Sequence, residues 1–144
     1  DQYYLQFVNI LESLGGVNTN PPASANCDDT DEESFEPNDT SEEAGVLNAP
    51  TTFTGGVCGT DFDFYDINIT GDWKLEVNFT HNVGDLEIVI WDDATAAFVR
   101  EGDYYAGATS SDDNEVYDGT GPTTIAVIGY NGATAPYTLV LSNR

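Results

Sequence analysis

The residues best suited to chemistry form a short acidic stretch, Ser34–Thr40. Within it, Glu36, Asn38 and Asp39 place three oxygen-bearing side chains in four residues, and Pro37 stiffens the backbone between them. Hard cations such as Ca²⁺ take about six to eight oxygen ligands from carboxylates, amides and carbonyls. The stretch therefore favours a cation site, although the same residue types also occur in solvated turns and helix caps.

A second acidic pair, Asp61 and Asp63, opens the first strongly strand-like run, and two cysteines flank the first stretch. Cys27 and Cys58 have no CxxC spacing, and the chain has a single histidine, so we do not expect a zinc site. We expect one disulfide, formed in an oxidising compartment, with a reduced pair in the core as the alternative. Such a bond would draw residues 36–39 toward Asp61 and could preorganise the two halves of a metal site.

The segments that must position these residues are short and strand-like from Phe35 to the C-terminus. In Trp73–Phe79, apolar and polar residues alternate, which places one face on a core and the other in water. Turns rich in Gly, Asp, Asn and Thr separate the runs, with no long helical pattern between them. We therefore predict an all-β fold, an antiparallel β-sandwich of about seven to eight strands.

Composition divides the chain into an apolar segment (1–16), a polar linker (17–34) and the predicted sandwich (35–144). The apolar segment fits either a short amphipathic helix or a strand buried on both faces. Because each fully buried large apolar side chain contributes about 1.5–3 kcal/mol, we expect this segment to be covered. The residues expected to make the contacts are Tyr3, Leu5, Phe7, Val8, Ile10 and Leu11.

The charge balance is strongly negative, since 3 basic residues stand against 26 acidic ones and give a net charge of −23. No basic patch is available for phosphates, so we expect no nucleic-acid partner. We expect no membrane span, because no apolar run reaches about 18 residues. Carboxylates at this density repel one another unless cations screen or bridge them. The composition therefore favours divalent ions within the fold, and a salt-adapted surface is the alternative.

No arrangement of residues supports catalysis. Carboxylates are so numerous that choosing two as the acid pair of a glycosidase would be arbitrary. His81 could be combined with Ser110 or Ser111, but neither serine lies in a GxSxG-like frame. We therefore predict that the protein is not an enzyme.

Two further surface features concern modification and binding. Asn68 and Asn78 each begin a glycosylation sequon, whereas the sequon asparagine Asn38 is better assigned as a ligand. Tyr104 and Tyr105 lie in a Gly- and Asp-rich stretch and are predicted to be an exposed pair that could contact a polysaccharide or a protein matrix.

Motifs across residues 35–141 occur in a characteristic order. They are Phe35-Glu36-Pro37-Asn38-Asp39-Thr40, Gly59-Thr60-Asp61-Phe62-Asp63-Phe64-Tyr65, Gly84-Asp85-Leu86-Glu87-Ile88 and Pro136-Tyr137-Thr138-Leu139. In this combination the chain resembles the bacterial pre-peptidase C-terminal (PPC) domain family, which includes the collagen-binding domains of clostridial collagenases. The resemblance implies a jelly-roll-like β-sandwich with a Ca²⁺ site where the linker meets the first strands. Carried over by position, the ligands would be Glu36, Asn38, Asp39, Asp61 and Asp63.

Together these features predict a non-catalytic, calcium-binding β-sandwich that is extracellular, either secreted or part of a cell-surface appendage. In the first hypothesis, residues 3–11 of the apolar segment 1–16 insert as a donor strand into a neighbouring subunit and build a homo-oligomeric filament. In the alternative, the chain is the C-terminal accessory domain of a secreted peptidase and binds its substrate or matrix.

Overall fold

The computed structural model describes residues 35, 37–58, 62–108 and 112–144. The predicted assembly segment and linker lie outside this range, as do Cys27, Glu36, Asp61, Ser110 and Ser111. The described strands are β1 (Gly45–Leu47), β2 (Thr51–Val57), β3 (Asp63–Ile67), β4 (Asp72–Asn78), β5 (Leu86–Asp92), β6 (Ala97–Phe98), β7 (Arg100–Glu101), β8 (Tyr104–Tyr105), β9 (Gly107–Ala108), β10 (Asn114–Thr120), β11 (Thr123–Gly129) and β12 (Ala135–Asn143). Single 3₁₀ turns cover Ser41–Glu43 and Tyr130–Gly132. No helix in the described part of the chain has the length and apolar character needed to cross a membrane.

Two sheets form the predicted sandwich. One has the order β1-β3-β11-β5-β6, with β9 also paired to β5, and the other has the order β10-β4-β12-β2. Strands β7 and β8 form a separate hairpin. The all-β sandwich is therefore confirmed, and its pairs are antiparallel except that β1 runs parallel to β3. The exception arises because the chain crosses to the other sheet for β2 and returns for β3, reversing direction at each crossing.

The main core lies between the two sheets, and β4 shows how the sequence pattern produces it. Trp73, Leu75 and Val77 are fully buried, and the intervening residues face outward, as their alternation predicts. The Trp73 indole donates a hydrogen bond of 2.9 Å from Nε1 to the carbonyl oxygen of Gly121. A Cβ at Gly119 would overlap the Trp73 ring, so this position in β10 requires glycine.

A second core covers the opposite face of the six-stranded sheet. Its buried members are Phe62, Phe64, Val89, Trp91, Phe98, Ala126 and Ile128. The rings of Phe64 and Phe98 stack with centroids 6.0 Å apart, and Trp91 meets Phe64 edge-on at 5.4 Å. Strand β5 is consequently buried on both sides, since Leu86 and Ile88 face the main core while Val89 and Trp91 face the second one.

Candidate cation sites

Phe35 anchors the start of the acidic stretch against the sandwich. Its ring lies 4.8 Å from the ring of Phe53 and 5.8 Å from that of Tyr65, which it meets edge-on. A Cβ at Gly45 would lie 2.8 Å from Phe35 Cδ1, so the absence of a side chain at the start of β1 leaves room for the ring. This packing positions the stretch beside β3.

The backbone then brings Asn38 to the beginning of β3. The amide of Phe64 donates a hydrogen bond of 2.8 Å to the carbonyl oxygen of Asn38. Asn38 and Asp63 are both fully buried, and Asp39 is half-buried. The remaining predicted ligands, Glu36 and Asp61, lie outside the described residues. The structure thus places an amide side chain and a carboxylate that are 25 positions apart in sequence at one end of the six-stranded sheet.

A chain of hydroxyl groups holds the Asp63 carboxylate. Tyr137 in β12 donates from its hydroxyl to Asp63 Oδ2 at 2.8 Å, and the hydroxyls of Tyr137 and Tyr65 are 2.7 Å apart. All three residues are buried, so the chain connects the two sheets through the core. A buried carboxylate is costly unless hydrogen bonds and a cation stabilise its charge. The amide and carboxylate donors match the oxygen ligands that Ca²⁺ prefers, so the described residues fit the predicted ion.

Cys58 follows β2 directly and is buried, with an exposed fraction of 7%. It is disulfide-bonded. Its predicted partner, Cys27, lies outside the described residues.

A second acidic group, which we call the acidic cluster, consists of Asp85, Glu87 and Glu115. Asp85 precedes β5, Glu87 lies within it and Glu115 lies in β10. Their exposed fractions are only 8%, 0% and 3%, and one carboxylate oxygen from each lies within 4.8 Å of the others. Three buried carboxylates this close together could bind a metal ion.

Two other side chains border the acidic cluster. His81 Nδ1 lies 3.3 Å from Asp85 Oδ1, and the backbone amide of His81 donates to Asp113 Oδ1 at 2.7 Å. The amide of Tyr130 donates to the carbonyl oxygen of Asp85 at 2.8 Å. Burial raises the pKa of the Tyr130 phenol, and the negative charges of Asp85 and Glu87 raise this pKa further. His81 lies in the turn between β4 and β5 and contacts the cluster from there.

The two acidic groups lie at the same end of the six-stranded sheet. In β11, Val127 pairs with Asp63 on one side and with Ile88 on the other, and Glu87 is the neighbour of Ile88. The strands β3 and β5 are therefore separated by two inter-strand spacings, about 9–10 Å. The sequence motifs assigned cation ligands only to the first group, although the motif Gly84–Ile88 contains Asp85 and Glu87. For the second group, the signal in the sequence was Glu87, a charged residue inside an otherwise apolar run.

The predicted surface residues differ in their surroundings. Asn78 is exposed at the end of β4, and Asn68 is exposed with its Nδ2 donating to Asn48 Oδ1 at 2.9 Å. Their glycosylation stays a prediction. Tyr104 is 45% exposed, but Tyr105 is half-buried and packs edge-on against Phe98. The predicted exposed pair is thus one exposed tyrosine and one that contributes to packing.

A scan against models of protein families found no match, and a search of curated proteins found none. Among solved structures, the chain is similar to the pre-peptidase C-terminal domain of a collagenase from Bacillus anthracis, with a TM-score of 0.52 and 16% identity over 86% of this chain and 100% of that one. Weaker similarities are to PliG, a periplasmic inhibitor of g-type lysozyme from Aeromonas hydrophila (TM-score 0.47, 14% identity, 70% of this chain and 96% of that one), and to a protein of the disulfide-linked pili of Bacillus endospore appendages (TM-score 0.41, 15% identity, 85% and 96%). The first similarity establishes the fold as a β-sandwich of the PPC type.

Proposed function

We propose that this protein is a non-catalytic, extracellular, calcium-binding subunit that assembles into a filament through its N-terminal segment. The observation that carries the proposal is the buried junction at which the Asn38 carbonyl, four residues after the linker, accepts a hydrogen bond from the amide of Phe64, the residue next to Asp63 at the start of β3. An ion at this junction would connect the N-terminal chain to the sandwich.

Calcium is the ion that these donors suit best. Asn38, Asp39 and Asp63 supply amide and carboxylate oxygens, and Glu36 and Asp61 would complete the set from outside the described residues. Mg²⁺ requires a near-octahedral arrangement and usually retains several waters, which fits a largely buried site less well. The bound ion would also offset part of the charge of a chain that carries −23.

Assembly would use the uncharged apolar residues near the N-terminus, Tyr3, Leu5, Phe7, Val8, Ile10 and Leu11. A strand donated to the next subunit makes a heterologous contact, and repetition of a contact that does not close builds a filament. Calcium at the junction would fix the direction in which the linker leaves the sandwich. The donated strand would then reach each neighbour in the same orientation.

An oxidising environment suits the chemistry of the chain. Cys58 is disulfide-bonded, and structural disulfides persist mainly outside the reducing cytoplasm. This supports an extracellular location, either secreted or in a surface appendage.

Calcium binding is tested by calorimetric titration and by melting curves with and without chelator. We expect the wild-type protein to melt at a lower temperature in chelator and Asp39→Ala to lose this response. Asp118→Asn, at an exposed acid of β10, is the matched control and should keep it. A wild-type melting curve that chelator leaves unchanged would contradict the calcium site.

Assembly is tested by electron microscopy of the purified protein with calcium, together with a variant that lacks residues 1–16. We expect filaments from the wild type and a folded monomer from the deletion variant. A wild type that stays monomeric at high concentration with calcium would refute the subunit hypothesis.

The alternative function is an accessory domain of a secreted peptidase. Its support is the fold similarity to the PPC domain of a collagenase. Binding to a protein matrix by a protein that remains monomeric would favour this alternative.

A further inference from the structure

The edges of the described sheets differ in length and charge. In the six-stranded sheet the outer strands are short, because β1 has three residues and β6 and β9 have two each. The four-stranded sheet ends in β10 on one side and β2 on the other, and both have seven residues. Strand β10 carries Glu115 and Asp118, whereas β2 has no charged residue and no proline. Among the edge strands in the described part of the chain, β2 is thus the one that is both long and free of charged residues.

Such an edge is unusual in a protein of this composition. Proteins usually protect edge strands with charges, proline, bulges or short length, because an open row of backbone groups can pair with another chain. Charged residues make up 20% of the sequence, yet β2 reads Thr-Thr-Phe-Thr-Gly-Gly-Val. Within the described residues, β12 is its single sheet partner. The second edge of β2 therefore offers a place for an added strand.

An uncharged groove lies beside the same strand. It has a volume of about 590 Å³ and extends from β2 across the neighbouring strands. The described residues that line it include Thr54, Gly56, Asn78, Thr80, Pro136 and Thr138, and none of its described lining residues is charged. Side chains of a strand added at β2 could therefore enter this groove without meeting a carboxylate of its described lining.

We propose that the open edge of β2 is the acceptor for residues 2–11 of a second copy of the chain. This inference rests on the proposed filament function and names the surface that receives the donor. Residues 2–11 contain no charged side chain. Because two copies that each carry −23 repel one another, a contact between two uncharged segments has the lowest electrostatic cost.

Length also fits. Ten residues in a strand span about 33 Å, which exceeds the roughly 23 Å of a seven-residue strand. With Cys27 held at Cys58 by the predicted disulfide, the free chain of residues 12–26 can extend to about 50 Å, enough to reach a neighbouring molecule. Backbone hydrogen bonds along β2 would supply affinity, and alternate side chains of the donor would supply specificity.

The test compares two exposed positions in one row of the four-stranded sheet. Thr54 in β2 and Asn114 in β10 occupy opposite ends of the row Asn114–Asn78–Thr138–Thr54. In the full-length protein with calcium, Thr54→Asp should raise the concentration needed for assembly by about tenfold or more, because it places a charge at the acceptor edge. The matched variant Asn114→Asp should assemble as the wild type does. Both should melt within about 5 °C of the wild type, and Thr52→Asp serves as a second acceptor variant if Thr54→Asp unfolds.

A mixing experiment separates donor from acceptor. Phe7→Asp impairs the donor and leaves the edge of β2 intact, whereas Thr54→Asp does the reverse. Each variant alone should be monomeric by analytical ultracentrifugation, and the mixture should form a one-to-one dimer and nothing longer. Monomers in the mixture would overturn the inference, because the intact donor of one variant would have failed to join the intact β2 edge of the other.

The outcomes distinguish this inference from the function on which it rests. Absence of filaments in the wild type would contradict the proposed function itself. Wild-type filaments together with normal assembly of Thr54→Asp and Thr52→Asp would leave the filament function standing and overturn β2 as the acceptor.

Discussion

The two acidic groups of this protein are built in different ways. At the junction, Asn38 and Asp63 come from a loop and a strand, and a tyrosine hydroxyl from the opposite sheet holds the carboxylate. In the acidic cluster, carboxylates from β5 and β10 lie within 4.8 Å of one another beside His81. The two groups share burial and differ in the kinds of oxygen donor and in how those donors are held. A mixed set of oxygen donors and a defined support for the ligands are what favour the junction.

The strongest test of this comparison is Asp63→Asn. The substitution removes a ligand charge while preserving the size of a fully buried side chain. We expect it to abolish the calcium-dependent part of the stability, about 2.7 kcal/mol at a calcium concentration of 100 times Kd. Denaturant unfolding with calcium and with chelator measures this part, and Asp118→Asn is the surface control. If calcium stabilised Asp63→Asn as much as the wild type, the calcium site would have to be the acidic cluster instead.

Removal of the supporting hydroxyl should have a smaller effect. Tyr137→Phe deletes the donor to Asp63 Oδ2 and keeps the ring in the core. We expect calcium affinity to fall by about tenfold, as is typical when a group that orients a ligand is lost. Tyr65→Phe is the matched variant, because its hydroxyl contacts Tyr137. Calorimetry should show a smaller loss for Tyr65→Phe, and equal losses would mean that both hydroxyls act through the fold alone.

A substitution in the acidic cluster should stabilise the protein, whereas the substitutions at the junction should destabilise it. Glu87→Gln removes one of three neighbouring buried carboxylates and its repulsion with the other two, so it should raise the free energy of unfolding in chelator by about 1–2 kcal/mol. The increase of stability on adding calcium should remain close to that of the wild type. If calcium no longer stabilises Glu87→Gln, the cluster is itself a calcium site.

The smallest expected effect concerns alkaline pH. Burial, together with Asp85 and Glu87, raises the pKa of Tyr130, so the folded protein keeps this phenol protonated to higher pH than the unfolded chain does. The associated stability is present below the unfolded pKa of about 10 and decreases as the pH rises above it. Tyr130→Phe should therefore lose less stability than the wild type at alkaline pH, by under about 1 kcal/mol. Tyr104→Phe, at an exposed tyrosine, is the control, and identical pH profiles for wild type and Tyr130→Phe would contradict the expectation.

Regular alternation made part of the fold predictable from sequence. The pattern of β4 predicts both the strand and its buried face, because each side chain of a half-buried strand points either to the core or to water. Strand β2 was not anticipated, since its threonines and glycines resemble a turn. The second core was also missed. Its strands contain consecutive apolar residues such as Ile88-Val89 and Ala126-Val127, which indicate burial without specifying a second face.

The candidate sites, like the fold, could be predicted only in part from the sequence. Asn38 and Asp39 are adjacent in a recognisable motif, so the sequence predicted a cation ligand set there, with a solvated turn as the alternative. The acidic cluster depends on how β10 packs near β5, two strands of different sheets, and no spacing in the sequence encodes that approach. Glu87 carried the one local signal, as a charged residue inside an apolar strand.

The parallel pairing of β1 with β3 has a mechanical consequence. An intact disulfide from Cys27 to Cys58 would carry tension in a filament past β1, whereas after its reduction the tension would pull each subunit through the chain that enters the sandwich at Phe35. A pull along the strand axis loads the β1–β3 hydrogen bonds in shear, so they must break together instead of opening one after another. The Asn38–Phe64 hydrogen bond lies ahead of them on the same path and would bear the load first. A calcium ion at that point would act as a mechanical clamp, and its removal would lower the force at which a subunit opens.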